Sequence, residues 1–457
     1  MSKLFGTDGI RGTPGQYPLT DLMIFKIGRA AAKVSLKWNR ISEGSLRIII
    51  GKDTRLSCDK IEKLLAAGIS SLGLEPLSSG TISTPGLAFL TRRFRCDMGL
   101  MISASHNNAR DNGIKFFSNA GCKLSPTQEK EMEELILADA FHIDELPVYE
   151  SGVSRMLVNA AGQYIDYLKS ESRGLDLNGM KVAVDCANGA LCAVAPQVFK
   201  ELGAAVVSIN DEMNGSKINL NSGAMHPENI VKMVLEYNAD LGFSFDGDGD
   251  RAILSDDKGN LIDGDYIMAI IGLHLLQQNQ LPKNTLVTTV MSNYGLQEAI
   301  EKAGGKLIRT DVGDRNVFET LVSENLTFGG EQSGHIIFLN RANTGDAMLT
   351  AIEVLKVMQA TGKKLSELSL CMRKVPQILI NVPVKEKLPF EKIPALSAAI
   401  AQCDSRLEGN GRLLVRYSGT EPLARIMVEG KDDQMIKEIA DSLAVKIRQE
   451  IGAEEIK

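Results

Sequence analysis

The chain has 457 residues, 44% hydrophobic and 24% charged, with 51 basic against 57 acidic residues and a net charge of −6. That length provides for about three or four domains, and the acidic balance lacks the basic excess that marks a duplex-binding surface. Seven scattered cysteines without a Cys-x-x-Cys pair argue against a zinc ribbon, a thioredoxin-like site or a disulfide scaffold, and for idle thiols in a reducing cytoplasm.

The N-terminus shows no signal-peptide pattern. It runs into Phe5-Gly6-Thr7-Asp8-Gly9-Ile10-Arg11-Gly12, whose glycines leave room to aim Arg11 inward. A short β-branched run, Leu46 to Gly51, then precedes a helical stretch through Ile61, Leu64, Leu65 and Ile69, which stops at Leu72-Gly73. The same unit recurs twice. Met180 to Asp185 leads through Asn188-Gly189 to a helix over Ala195 to Leu202, Gly203 and the strand start Ala205-Val206-Val207. Thr285 to Val290 leads through Asn293-Tyr294-Gly295 to a helix over Leu296 to Ala303, Gly304 and Lys306-Leu307-Ile308. Strand, polar loop, amphipathic helix, glycine and strand form the pattern of a parallel, doubly wound layer. The closing glycines suit the left-handed position after a helix. Three copies predict three related α/β domains with mixed sheets. The last part differs. A strand over Ile378 to Val384, a helix over Ile393 to Gln402, two strands within Arg412 to Glu429 and a long helix over Asp433 to Ile451 predict a smaller α+β domain. The expected domains are 1–152, 153–252, 253–370 and 371–457. The most apolar stretch, Ile267 to Leu276, is too short to span a bilayer.

Four loops carry chemistry. Met98 to Ile102 leads into Ser103-Ala104-Ser105-His106-Asn107, continuing to Asp111-Asn112-Gly113-Ile114-Lys115. Ser105 then stands at the carboxyl end of a strand, where α/β sheets place ligands. Serine beside histidine suggests a hydrolase, but the Gly-x-Ser-x-Gly elbow is missing. Leu241 to Phe245 leads into Asp246-Gly247-Asp248-Gly249-Asp250-Arg251. Three carboxylates at i, i+2 and i+4 on an extended backbone point the same way and suit a hard cation such as Mg²⁺. An EF-hand is excluded, because its sixth and twelfth positions hold Arg251 and Asp257. Gly329-Gly330-Glu331-Gln332-Ser333-Gly334-His335 offers a dense hydrogen-bonding set for sugar hydroxyls or an amine. Arg416-Tyr417-Ser418-Gly419-Thr420-Glu421-Pro422, with Arg425 beyond, suits a phosphate dianion. It lacks the Gly-Lys-Ser/Thr ending of a Walker loop.

In this order, and over essentially the whole chain, these segments resemble the α-D-phosphohexomutase superfamily. The resemblance implies that Ser105 carries a transferable phosphate. It also implies that Asp246, Asp248 and Asp250 bind one Mg²⁺ per active site, with a phosphoserine oxygen of Ser105 as a further ligand. Glu331 and Ser333, within Gly330 to His335, would contact the hexose. Arg416, Ser418, Gly419, Thr420 and Arg425 would grip the substrate phosphate, and Arg11, Lys115 and Arg251 would be positive active-site positions. Lys115 or His335 would assist proton transfer. The Glu331 and Ser418 loops, with Val312-Gly313-Asp314-Arg315, look like the glucosamine-phosphate branch. This implies interconversion of glucosamine 6-phosphate and glucosamine 1-phosphate through a bound 1,6-bisphosphate, upstream of UDP-N-acetylglucosamine and cell-wall precursors. The implied partners are a hexosamine phosphate and a second copy in a homodimer, with no nucleic acid or membrane. Closure on a hinge near 370 is also expected. The alternatives are a phosphomannomutase/phosphoglucomutase and a catalytically silent sugar-phosphate-binding regulator. Three positions depart from the family pattern. Asn108 replaces the usual proline after Asn107, Asn316 stands where an aromatic is common, and Ala347 stands where glycine is usual.

Overall fold

The computed structural model describes residues 4–6, 8–39, 46–138, 154–418 and 421–453. By its contacts the chain divides into two units, residues 1–289 with 308–370, and residues 290–307 with 371–457. The described residues form four sheets. Across the first, the strands run Ile10–Gly12, Asn112–Ser118, Met98–Ile102, Ile48–Lys52, Leu77–Thr81 and Arg155–Met156. The second runs Leu261–Ile262, Ala252–Asp256, Leu241–Phe245, Lys181–Asp185 and Ala205–Ile209. The third runs Lys306–Thr310, Thr285–Thr289, Phe328–Gly330 and Ile336–Phe338. The fourth, Gln377–Pro383, Leu423–Gly430 and Gly411–Tyr417, is antiparallel throughout. Three α/β domains and a smaller α+β domain result.

The first three sheets are mixed, as expected; in the third, Phe328–Gly330 is parallel to Thr285–Thr289 and antiparallel to Ile336–Phe338. Ile48–Lys52 is parallel to both neighbours, whereas Asn112–Ser118 returns antiparallel to Met98–Ile102. In the second sheet Ala252–Asp256 returns antiparallel to Leu241–Phe245. The two antiparallel turns that result carry Ser105 and the three aspartates. Both loops therefore project from the carboxyl ends of central strands, where strand polarity leaves room for a ligand.

The glycines after the three repeated helices, Gly73, Gly203 and Gly304, all have positive φ, as the left-handed helix stop requires. In the first domain, helices Asp21–Asn39 and Cys58–Ser70 pack at Gly28 and Gly68. A Cβ there would lie 2.3 Å from Leu65 O and 2.2 Å from Phe25 O, so only glycine allows the approach. In the second unit, Asp432 caps helix Asp433–Ile451 by accepting from the Gln434 and Met435 N–H groups. The helix buries Ile436, Ile439, Leu443 and Ile447 against the fourth sheet, each worth about 1.5–3 kcal/mol of burial. No helix among the described residues is long and apolar enough to cross a membrane.

Candidate active site

Ser105 follows strand Met98–Ile102 and lies fully buried, with a left-handed backbone at φ 52°. Its N–H donates to Ser103 Oγ at 2.8 Å. Its hydroxyl donates to Asp246 Oδ2 at 2.8 Å and lies 3.2 Å from His106 Nδ1. Burial first, and then Arg251, push His106 down to about 4, so its ring is neutral near pH 7.

The three aspartates do converge, but not along an extended strand. Residues 246–250 form a tight turn with Gly249 at φ 72°, and Asp246 Oδ1 closes it by accepting from the Asp250 and Arg251 N–H groups at 3.1 Å. An alternating strand points i, i+2 and i+4 side chains one way but spreads them apart. The turn brings one oxygen of each within 4.8 Å of the others. All three carboxylates are buried. Burial, then Asp250 and Asp248, push Asp246 well above the ordinary carboxylate range. Asp248 Oδ1 and Asp250 Oδ1 are buried without a hydrogen-bond partner. Three hard oxygens, two of them unsatisfied, fit a hard divalent cation.

Around this turn runs a closed ring of charges. Lys115 Nζ lies 2.7 Å from Asp248 Oδ2, 3.3 Å from Asp250 Oδ2 and 3.0 Å from Asp8 Oδ2. Asp8 Oδ1 lies 2.6 Å from Lys123 Nζ, and Lys123 also pairs with Asp314. Asp314 Oδ2 lies 3.5 Å from His335 Nε2, and His335 Nδ1 lies 3.7 Å from Asp250 Oδ1. Burial works against a charged Lys115, but Asp248, Asp8 and Asp250 outweigh it and hold the ammonium well above its ordinary range. Burial likewise disfavours a charged His335, yet Asp250 and Asp314 leave it raised. His335 Nε2 accepts from the Gly345 N–H at 3.0 Å, so the neutral ring carries its proton on Nδ1, facing Asp250.

A cleft of about 380 Å³ opens beside the ring, lined by Asp8, Arg11, His106, Asp250, Arg251, Glu331 and His335 among others. Glu331 Oε1 accepts from the Gly313 N–H at 3.1 Å. Ser333 is exposed at the tip of its turn and does not line the cleft. Arg11 pairs with Asp8 at 2.5 Å, and Arg251 Nε lies 3.8 Å from Asp250 Oδ1.

In the second unit, Arg416 and Arg425 stand directly opposite each other across paired strands. Like charges in that register repel and favour an anion between them. Arg425 Nη2 donates to Ser418 Oγ at 3.3 Å and Glu421 Oε2 at 2.9 Å, while its Nε is buried and unpartnered. Gly419 and Thr420 lie outside the described residues.

Sequence reasoning missed several groups. Asp8, Lys123 and Asp314 complete the ring, Thr84 Oγ1 donates to Asp248, and Arg55 and Asn219 donate to the serine loop. Asp8 and Asp314 at least stood inside motifs. Arg55 and Asn219 lie in ordinary loops and Thr84 opens helix Thr84–Arg93, and none carried a flag.

The four domain models of the phosphoglucomutase/phosphomannomutase family match in order. The α/β/α domains I, II and III cover residues 2–142, 162–259 and 263–375, and the C-terminal domain covers 379–446. The chain belongs to this family. Within the family it is 50% identical over 454 residues to the phosphoglucosamine mutase of Geobacter metallireducens, covering 98% of this chain and 99% of the relative. Solved phosphohexomutases share the fold. A phosphoglucomutase/phosphomannomutase family protein from Burkholderia thailandensis superposes with a TM-score of 0.78 at 22% identity, over 97% of each chain. Aspergillus fumigatus N-acetylphosphoglucosamine mutase, in complex with GlcNAc-6P and magnesium, does so with a TM-score of 0.63 at 18% identity, over 98% of this chain and 95% of that one.

Proposed function

We propose that this phosphohexomutase interconverts glucosamine 6-phosphate and glucosamine 1-phosphate through a phosphorylated Ser105. The observation that carries this reading is Ser105 Oγ, set 2.8 Å from Asp246 at the head of three buried carboxylates beside the ammonium of Lys115. Phosphoryl transfer depends chiefly on positioning and charge neutralisation, and these residues supply both.

Phosphorylated Ser105 donates its phosphoryl group to the O1 hydroxyl of bound glucosamine 6-phosphate. The Ser105 Oγ–P bond breaks, the O1–P bond forms, and the O1 hydroxyl proton is taken up while the departing Ser105 oxygen is protonated, so the serine returns to its hydroxyl form. The resulting 1,6-bisphosphate stays bound, turns over and returns its 6-phosphoryl group to Ser105. Asp246, Asp248 and Asp250 would hold Mg²⁺, with a phosphoserine oxygen of Ser105 as a further ligand, and the ion would supply charge neutralisation for the transfer. Lys115, kept protonated by three carboxylates, serves as a fixed positive charge. His335 carries a titratable proton on the ring facing Asp250. Glu331 reads the sugar from the cleft wall, while Ser333, exposed on the same turn, would do so only if that turn moves onto the sugar. Arg11 and Arg251 add positive charge at the cleft, and Arg416, Ser418, Gly419, Thr420 and Arg425 hold the phosphate that is not being transferred. A water-soluble metabolic setting in the cytoplasm suits these substrates.

Intact mass spectrometry tests the reading. A phosphate adduct should form with glucosamine 1,6-bisphosphate, disappear on adding hexosamine monophosphate, and be absent in Ser105→Ala. Near-wild-type turnover by Ser105→Ala would overturn it. A coupled assay with glucosamine, glucose and mannose phosphates should rank glucosamine first.

A further inference from the structure

Ser105 is an L-residue held at φ 52°, a left-handed conformation that a side chain disfavours, so its surroundings must over-determine it. Both of its backbone ends are tied. The N–H donates to Ser103 Oγ, whose own hydroxyl donates to Asp53 Oδ2 at 2.7 Å. The carbonyl accepts twice, from Arg55 Nη2 at 2.9 Å and Asn219 Nδ2 at 2.8 Å. The Asn107 carbonyl also accepts from both, at 2.8 and 2.9 Å.

Arg55 is only 2% exposed, and all its donors face this loop or Asp53. Nε donates to Asp53 Oδ2 at 2.9 Å, Nη1 to the carbonyls of Asp111 at 2.9 Å and Asn108, and Nη2 to those of Ser105 and Asn107. One guanidinium has five N–H groups, and every one is used. Asn219 approaches from the second α/β domain, next to the metal-binding turn. A Cβ on Gly247 would lie 2.8 Å from both Asn219 Nδ2 and Ser105 O, so the serine carbonyl is boxed between the two side chains and the aspartate turn. Neither Arg55 nor Asn219 lines the cleft.

We propose that Arg55 and Asn219 are positioning residues for phosphoryl transfer: by gripping the Ser105 and Asn107 carbonyls together, they hold Ser105 Oγ in register with Asp246. The proposal rests on Ser105 being the phosphoryl carrier. The grip also turns carbonyl oxygens toward donors, where they do not oppose the charge of a phosphoserine. It further supplies the rigidity that the family's proline gives a loop and that Asn108 does not, since the Asn108 carbonyl is itself held by Arg55.

The test compares Asn219→Ala, Arg55→Lys and the double variant in the full-length protein. Steady-state kinetics with glucosamine 6-phosphate, primed with glucosamine 1,6-bisphosphate, are paired with the ³¹P shift of the loaded phosphoserine and with melting curves. Small misplacements of a reacting group cost up to about 100-fold. Each single variant should therefore lose about 10- to 100-fold in kcat with KM changed less than about 2-fold. The ³¹P resonance should move. Because both residues act on the same two carbonyls, the double variant should lose far less than the product of the single losses. A folded Asn219→Ala with wild-type kcat and an unmoved resonance would overturn the proposal, as would a loss confined to KM or fully multiplicative losses. Should Arg55→Lys fail to fold, Asn219→Ala decides alone. If instead the wild-type chain never takes up phosphate from the bisphosphate, it is the reading of Ser105 that fails, and this outcome is visible before any variant is made.

Discussion

Lys115 and Asp248 share one carboxylate unevenly: Lys115 Nζ lies 2.7 Å from Asp248 Oδ2, while Asp248 Oδ1 is buried with no partner. The lysine thus offsets part of the carboxylates' charge and leaves an oxygen free for a second cation. Lys115→Met should lower kcat by about 100- to 1,000-fold, the scale of removing one preorganised donor. It should also lower the Mg²⁺ concentration at which the melting temperature plateaus, because a positive charge beside the carboxylates is removed. Titrating Mg²⁺ into both proteins and following activity and melting in parallel checks this; an unchanged kcat contradicts a charge role for Lys115.

A cation held by the 246–250 turn should stabilise the folded chain by mass action. Wild-type protein stripped with a chelator should melt at a lower temperature and recover on adding Mg²⁺. Asp248→Asn, which keeps the shape but removes the charge, should show no Mg²⁺-dependent shift. Equal shifts in both proteins would place the ion elsewhere.

Asp346 gives a pH-dependent prediction. It caps helix Ala347–Thr361 by accepting from the Met348 and Leu349 N–H groups, and also accepts from Tyr164 Oη at 2.8 Å. Burial pushes its carboxyl from 3.8 up to about 6, against those hydrogen bonds. The folded chain therefore keeps this proton where the unfolded chain has lost it. The stability this group contributes is complete below about pH 4 and is lost as the pH rises through about 6. Asn keeps the cap without the charge, so Asp346→Asn should gain on wild type between pH 4 and pH 7, by up to about 3 kcal/mol. A pH-independent difference in melting temperature would refute the assignment.

In the second unit, Glu429 is fully buried and accepts from Arg412 Nε at 2.9 Å, Arg412 Nη2 at 2.6 Å and Asn293 Nδ2 at 3.2 Å. Arg412→Met leaves a buried carboxylate unneutralised and should cost about 3–5 kcal/mol. The double change Arg412→Met with Glu429→Gln should recover part of that loss. Denaturant unfolding of wild type, Arg412→Met, Glu429→Gln and the double variant measures it, and additive losses would show that the two side chains act independently.

Much was legible before any coordinates, wherever local pattern and local chemistry agree. The C-terminal helix begins and ends where its periodicity places it, Asp433–Ile451. The three repeated glycines adopt the positive φ that a helix stop needs. The aspartates were recognisable as one cation-binding set from their chemistry and their nearness along the chain. Backbone shape was not legible: the same i, i+2, i+4 pattern fits an extended strand and a tight turn, and only the Asp246 hydrogen bonds to residues 250 and 251 decide for the turn.

The sequence by itself determined the family, the order of the domains and the chemical types at the site: one serine, three carboxylates, and cations in glycine-rich loops. These depend on residues that are neighbours along the chain. Tertiary structure alone decided which partners those groups meet. Asp8, Lys115, Lys123, Asp250, Asp314 and His335 come from distant segments and close into one ring, while Arg55 and Asn219, from separate domains, take the same two carbonyls. Such pairings have no local signature. They exist because buried charges and carbonyls must find partners wherever packing leaves them, and packing is a property of the whole fold.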